Sequence, residues 1–299
     1  MKKGASFYAR IALGVAAVSS GGVLVRLAVG ASPLAVAAWR LVLASVVLVP
    51  IAVIQSTLRT IRRRDLALGI VSGAALAAHF ALWISSLGQT SVASSVLFVS
   101  THPLFVILGA ALFLGERVGR TVTLGMAITL TGGVLVGWSD LSFGAWIGDL
   151  LALGGGFFAA VYFLLGRRLR SHVSLVDYTA VTYGTAAALC LAACLALRIP
   201  LSGFPSQTYV WLGLLALGPQ LIGHSTFNWA LGHLPAAKVS ILILGEPVGA
   251  ALLAYLVFGE TLTWQRALGA AIILVGIYVS LRGKEVPGGA RTGEDRMGG

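Results

Sequence analysis

Residues 87–116 read LGQTSVASSVLFVSTHPLFVILGAALFLGE, and residues 231–260 read LGHLPAAKVSILILGEPVGAALLAYLVFGE. At an offset of 144 residues the two stretches align without a gap. Leu87-Gly88 meets Leu231-Gly232, Ala93 meets Ala237, Pro103 meets Pro247, and Gly115-Glu116 meets Gly259-Glu260. The match runs on through Leu124-Gly125 with Leu268-Gly269 and Gly132 with Gly276. Each stretch is an apolar run long enough to cross a bilayer, which takes about 20 residues, and each is interrupted by a proline near its middle. Repetition at a fixed period points to a duplicated unit.

Composition fixes the solvent. Of 299 residues 58% are hydrophobic and 10% are charged, and the mean hydropathy is +0.93. Soluble domains carry about 25% charged residues. A chain with so few charges cannot cover a water-facing surface, so lipid must be the medium for most of it. The net charge of +11 would suit nucleic acid in a soluble protein, but here the basic residues fall in short clusters between apolar runs. Those clusters are Lys2, Lys3 and Arg10; Arg59 and Arg62 to Arg64; Arg117 and Arg120; Arg167, Arg168 and Arg170; and Arg282, Lys284, Arg291 and Arg296. That is the signature of topology-setting loops, and no nucleic-acid partner is expected.

Ten apolar runs are predicted to form spanning helices: 8–29, 33–54, 66–86, 91–113, 121–138, 146–166, 174–197, 208–230, 237–258 and 264–281. The connections are short, so successive helices are antiparallel neighbours. The basic clusters lie in alternate connections and at both termini. The opposite connections carry only Arg198 or Arg266, or no basic residue at all. Both termini are therefore expected in the cytoplasm, in a bacterial-type inner membrane. Five runs separate the two copies of the repeat, and an odd number of spans reverses direction. The expected fold is an all-α membrane protein of ten helices, built as two inverted five-helix repeats (8–138 and 146–282), with a disordered tail over 283–299. The first run follows basic residues as a signal peptide would, but it is long and many similar runs follow it. Cys190 and Cys194 lie four apart inside one apolar run, so neither a disulfide nor a metal motif is expected.

The Leu-Gly pairs with Ala93 and Ala237 five residues further on, the mid-helix Pro103 and Pro247, and the Gly-Glu exits at Gly115-Glu116 and Gly259-Glu260 resemble the drug/metabolite transporter superfamily. So do the Trp39-Arg40 pair in the second run and the glycines around Gly269 and Gly276. The type is the EamA domain, present twice, and the resemblance covers residues from about 10 to 282. It implies a ten-helix transporter that exports amino acids or related metabolites, most like the members that handle aromatic and hydrophobic amino acids. Other members of the superfamily move nucleotide sugars, sugar phosphates or drugs, and these motifs do not separate the substrates.

Polar groups at membrane depth are costly, a central charge by about 2.5–3.5 kcal/mol on insertion scales, so each one present needs a reason. His79 lies among small apolar residues with Trp83 one turn away on the same face. Both are candidates for a substrate cavity, the alternative being a histidine bonded to a neighbouring helix. The repeat offset takes His79 to position 223, beside His224. His224 and Asn228 lie four apart on one face after Gly218-Pro219, which can open the helix. Glu246 before Pro247 and His102 before Pro103 form a second quasi-symmetric pair. They are read as coupling or gating groups, and the plainer alternative for Glu246 is a cap on the carbonyl freed by the proline. Lys238 either snorkels to the headgroups or lines the inward entrance. Phe98 and Tyr162 are candidate pocket walls, with Phe158 and Trp229 beside them. Arg40 is assigned a structural role, with attraction of a carboxylate as the alternative, and Glu116 and Glu260 are read as helix-end partners. Trp138, Trp146, Trp211 and Trp264 read as interface anchors, and the paired glycines as close helix contacts.

No nucleotide loop, metal-ligand cluster or nucleophile motif is present, so no cofactor and no enzymatic activity are expected. The function these features imply is alternating-access transport of a small molecule by a monomer or homodimer in the bilayer. An enzyme acting on lipid would gather its polar groups near one interface, and a channel would need a continuous polar stripe.

Overall fold

The structure is a computed structural model that describes residues 4–55, 61–90, 92–116, 118–137, 146–259 and 263–283. Glu260, Trp138 and the tail beyond Gly283 lie outside the described residues. Among the described residues there is no strand, and each of the ten apolar runs is helical. We number them α1 (Ala5–Leu27), α2 (Pro33–Ile54), α3 (Arg63–Ser86), α4 (Ser94–Leu114), α5 (Arg120–Gly137), α6 (Trp146–Leu169), α7 (Leu175–Ala196), α8 (206–231), α9 (Ala236–Phe258) and α10 (Trp264–Arg282). Their ends match the sequence expectation within three residues.

Eight of these helices are long and apolar enough to cross a membrane. The exceptions have physical reasons. The apolar part of α5, Arg120–Val136, is shorter than the others. The wide π turn over Ala216–His224, which contains Pro219, interrupts α8, and Gln220, His224 and Asn228 dilute its hydropathy. Large apolar side chains cover the outside, among them Ile54, Leu112, Phe113, Leu195 and Leu256.

Starts and stops follow local chemistry. Ser32, Ser174 and Thr263 cap α2, α7 and α10, each accepting a bond from the backbone N–H three residues on. Gly115 and Gly259 end α4 and α9 in the left-handed conformation, at φ 64° and 67°. That conformation suits glycine, and it explains why both Gly-Glu exits carry one.

The packing has a two-fold pattern. α3 packs on α6 as α8 packs on α1, and α4 packs on α6 as α9 packs on α1. α2 pairs with α7, and α5 pairs with α10. Exchanging each helix for its counterpart at the 144-residue offset maps these contacts onto one another.

The α5–α10 crossing is antiparallel and held by glycine. A Cβ on Gly132 would lie 2.7 Å from the Gly269 carbonyl, and one on Gly269 would lie 2.7 Å from the Gly132 carbonyl. Gly125 and Gly276 stand in the same relation at 2.6 Å. Backbones this close gain dispersion contacts where no hydrophobic force drives helices together. The glycine faces read from the sequence as close helix contacts are, within the chain, occupied by each other.

Gly132→Leu should lower the thermal unfolding midpoint of detergent-purified protein, with an overpacking cost of about 1–3 kcal/mol. Gly133→Leu should leave the midpoint within about a degree, because a Cβ there meets nothing within 4 Å. Equal midpoints for the two variants would show that the crossing is loose.

Candidate functional site

The site begins with the backbone. α4 stops at Ser100-Thr101 and restarts at His102, and α9 stops at Leu244-Gly245 and restarts at Glu246. The two breaks fall at equivalent positions of the repeat. Pro103 and Pro247 sit in the first turn of the restarted helices, where a missing N–H costs least. A continuous helix would have bonded the carbonyls of Val99 and Ile243 to those absent N–H groups.

The two breaks are finished differently. His102 Nδ1 donates to the Val99 carbonyl at 3.1 Å, capping the group its own proline frees. Glu246 does no such thing: none of the hydrogen bonds among the described residues falls on its carboxylate. The capping role considered for Glu246 thus belongs to its histidine counterpart. The main-chain carbonyl of Glu246 accepts from Ser19 Oγ at 3.1 Å, tying the break to α1.

Between the breaks lies a cavity walled by α1, α2, α3, α4, α6, α8 and α9. It brings together Arg40, His79, Trp83, His102, His224, Glu246 and Pro247. His79 Nδ1 lies 2.9 Å from the Gly155 carbonyl and must donate to it, which turns Nε2 toward the cavity. That approach needs the glycine run of α6, since a Cβ on Gly155 would press at 3.2 Å on Trp83. The rings of His79 and Trp83 lie parallel, 6.1 Å between centroids. Phe80, which the sequence reading passed over, separates the histidines and packs edge-on against His224 at 5.2 Å.

Arg40 enters this cavity and is buried. Its Nε donates to Gln220 Oε1 at 3.0 Å, and its guanidinium carbon lies 4.0 Å from the Phe80 ring centre. Arg40 and Glu246 interact electrostatically across the cavity without an ion-pair contact. Its neighbour Trp39 points the other way and bonds the Leu201 carbonyl at 2.9 Å, which fixes the rotation of α2.

The remaining candidates lie behind the wall. Tyr162 donates to Asn228 Oδ1 at 2.7 Å, and Asn228 Nδ2 donates to Tyr183 Oη at 3.1 Å. Tyr178 shares a 2.7 Å bond with Ser72 beside them. Tyr162 and Asn228 are thus spent on a buried network joining α3, α6, α7 and α8. Phe98 is half-buried next to the lining residues Val96 and Val99 and does not line the cavity itself. Pro103 is buried in the break of α4. Lys238 is buried and donates to the Gly283 carbonyl at the end of α10. Glu116 accepts from Arg167 Nε at 2.6 Å and from the Ala236 N–H at 3.2 Å, so it clamps α6 and the start of α9 to the end of α4. A carboxylate there also suits the positive end of the α9 dipole.

Magnitudes decide what this conformation can hold. The central cavity leaves about 70 Å³. A water needs about 10–15 Å³ and ligand pockets run to about 300–1,000 Å³, so the space fits a few waters and no metabolite until the walls part. A larger groove of about 460 Å³ lies on the outer side of α3, α4 and α6. Leu82, Phe105, Ile147, Leu150 and Phe157 line it with no polar side chain to orient a ligand, so the chemistry rests with the central cavity.

Comparison with known proteins agrees with this architecture. The model of the EamA-like transporter family matches residues 6–138 and again 146–282. The chain belongs to the EamA-like transporter family. A relative in Archaeoglobus fulgidus described as an uncharacterized transporter is 27% identical over 84% of this chain and 89% of its own. A probable amino-acid metabolite efflux pump of Escherichia coli is 28% identical over 62% of this chain and 66% of its own. A riboflavin transporter of Vibrio cholerae is 28% identical over 66% of this chain and 65% of its own. A solved crystal structure superposes with a TM-score of 0.77, covering 92% of this chain and 96% of the other at 19% identity, which speaks for the fold alone. This EamA chain is a multi-pass membrane protein of a transporter family.

Asn228→Leu should destabilise the protein by about 1–3 kcal/mol, because two buried tyrosine hydroxyls lose their partner. The readout is the thermal unfolding midpoint in detergent. An unchanged midpoint with weakened transport would instead make Asn228 a substrate contact.

Proposed function

We propose that this EamA protein is a secondary transporter that exports small amphipathic metabolites, hydrophobic and aromatic amino acids first among them. Its two five-helix halves, 8–138 and 146–282, are inverted repeats that spread over the bilayer with both termini in the cytoplasm. Alternating access runs around the central cavity. The observation that carries this reading is the meeting of two equivalent helix breaks, one from each half, at a single polar cavity. Non-helical backbone at membrane depth is tolerated only against protein or water, and transporters place their sites there.

The cavity chemistry supports an amphipathic cargo. Trp83, Phe80 and Phe163 give an apolar wall, while His79, His224, Arg40 and Glu246 give polar points of attachment. The Escherichia coli relative, described as a probable amino-acid metabolite efflux pump, supports amino acids. The loop charges support the orientation, in a bacterial-type inner membrane. The occupied α5–α10 seam favours a monomer, since it removes the glycine faces a dimer would use. Glu246, with no hydrogen bond on its carboxylate, is the coupling residue, able to exchange a proton with the cavity. The second reading, a flavin as cargo, rests on the riboflavin transporter of Vibrio cholerae.

Counterflow in proteoliposomes tests the activity. Purified protein preloaded with unlabelled phenylalanine should accumulate labelled phenylalanine, and uptake of labelled riboflavin alone would favour the flavin. Folded protein that moves no amino acid would sink the amino-acid reading. For coupling, Glu246→Gln should lose the acceleration of phenylalanine counterflow by a proton gradient, read as the ratio of rates with and without the gradient. A gradient response equal to wild type would remove Glu246 from the coupling step.

A further inference from the structure

Arg40 poses an electrostatic problem that the protein alone does not solve. It is 1% exposed, yet only Nε of its five N–H donors is bonded, to Gln220. Its Nη2 is buried with no partner, and so is Nε2 of Gln220. Contact with the Phe80 ring returns only part of what burying the ion costs. Glu246 is the obvious counter-ion and lines the same cavity, but among the described residues no ion pair joins the two. Two opposite charges therefore line the space in which a substrate would sit without pairing with each other.

We propose that Arg40 is the anchor for a substrate carboxylate, with Glu246 facing the substrate's cationic end, so that the cavity selects zwitterions. This rests on the cavity being the transport site and narrows its cargo. A guanidinium offers paired donors that match the two oxygens of a carboxylate. Gln220 is the positioning residue: by occupying Nε it leaves the terminal nitrogens for the ligand. The aromatic walls take the side chain. An uncharged ring system such as a flavin would fill the cavity but leave both charges unpaired.

Four labelled solutes in counterflow test the assignment: phenylalanine, its amide, 3-phenylpropionate and riboflavin. Wild type should move phenylalanine with a half-saturation at least tenfold below that of the amide. Arg40→Gln should abolish that ratio, and Arg40→Lys should restore part of it. A merely structural Arg40 would slow every solute alike and leave the ratio intact, overturning the proposal. Should Arg40→Gln fail to fold, the wild-type ratio and its reduction in Gln220→Ala decide. Wild type moving phenylalanine and its amide equally would overturn the anchor while leaving amino-acid transport standing. Transport of 3-phenylpropionate without phenylalanine would overturn the selection of zwitterions together with the amino-acid reading. Movement of riboflavin alone, or of none of the four by monodisperse protein, would overturn both.

Discussion

Proline has no backbone N–H to give, and hydrocarbon has no water to offer the carbonyl left behind. A spanning helix that contains Pro103 or Pro247 therefore has to turn its break toward protein or a wet space. This constraint sets the position of α4 and α9, since neither break can face lipid. Both point inward, and helices packed around two such breaks enclose a polar cavity. His102 answers the constraint within its own helix by bonding the Val99 carbonyl. Glu246 leaves it open, and that asymmetry puts an unbonded carboxylate at the centre of an otherwise two-fold arrangement.

The surroundings divide into stiff and yielding parts. The α5–α10 seam packs backbone against backbone at paired glycines. The tyrosine network ties α3, α6, α7 and α8, and Glu116 clamps α4, α6 and α9 at one end of the bundle. The yielding parts are the interruptions: Ser20 between the two pieces of α1, Ser100-Thr101 in α4, the π turn of α8 and Leu244-Gly245 in α9. Three of the four contribute residues to the cavity wall, and Ser20 adjoins the lining residue Gly21. A cavity of about 70 Å³ can admit a metabolite only if such points bend, and the fixed seam gives them something to bend against.

The fold was legible because the bilayer imposes one period and one length on every span. Apolar runs, short connections and a gap-free repeat give the helices and their order directly. The polar groups inside the apolar runs were legible too. Rotation about the helix axis was not. In an apolar helix surrounded by apolar helices, no amphipathic stripe marks the inner face. His79, His224 and Glu246 sit on the cavity wall, whereas Tyr162 and Asn228, at similar depth, are turned into a network behind it. The partner that holds Arg40 was not legible, because Gln220 lies 180 positions away. Phe80 carried no polar signal at all, though its place beside His79 and before Trp83 was a hint. Glu260, the counterpart of Glu116, lies outside the described residues.

Alternating access at the paired breaks is the central claim, and accessibility of the cavity wall tests it most directly. Ser100→Cys, in a background with Cys190 and Cys194 replaced by alanine, places one thiol at the break of α4. A membrane-impermeant thiol reagent is then applied to right-side-out and inverted vesicles, with and without phenylalanine. The account predicts labelling from both sides, with substrate shifting the balance between them. Labelling from one side only, unmoved by any solute the protein transports, would contradict it.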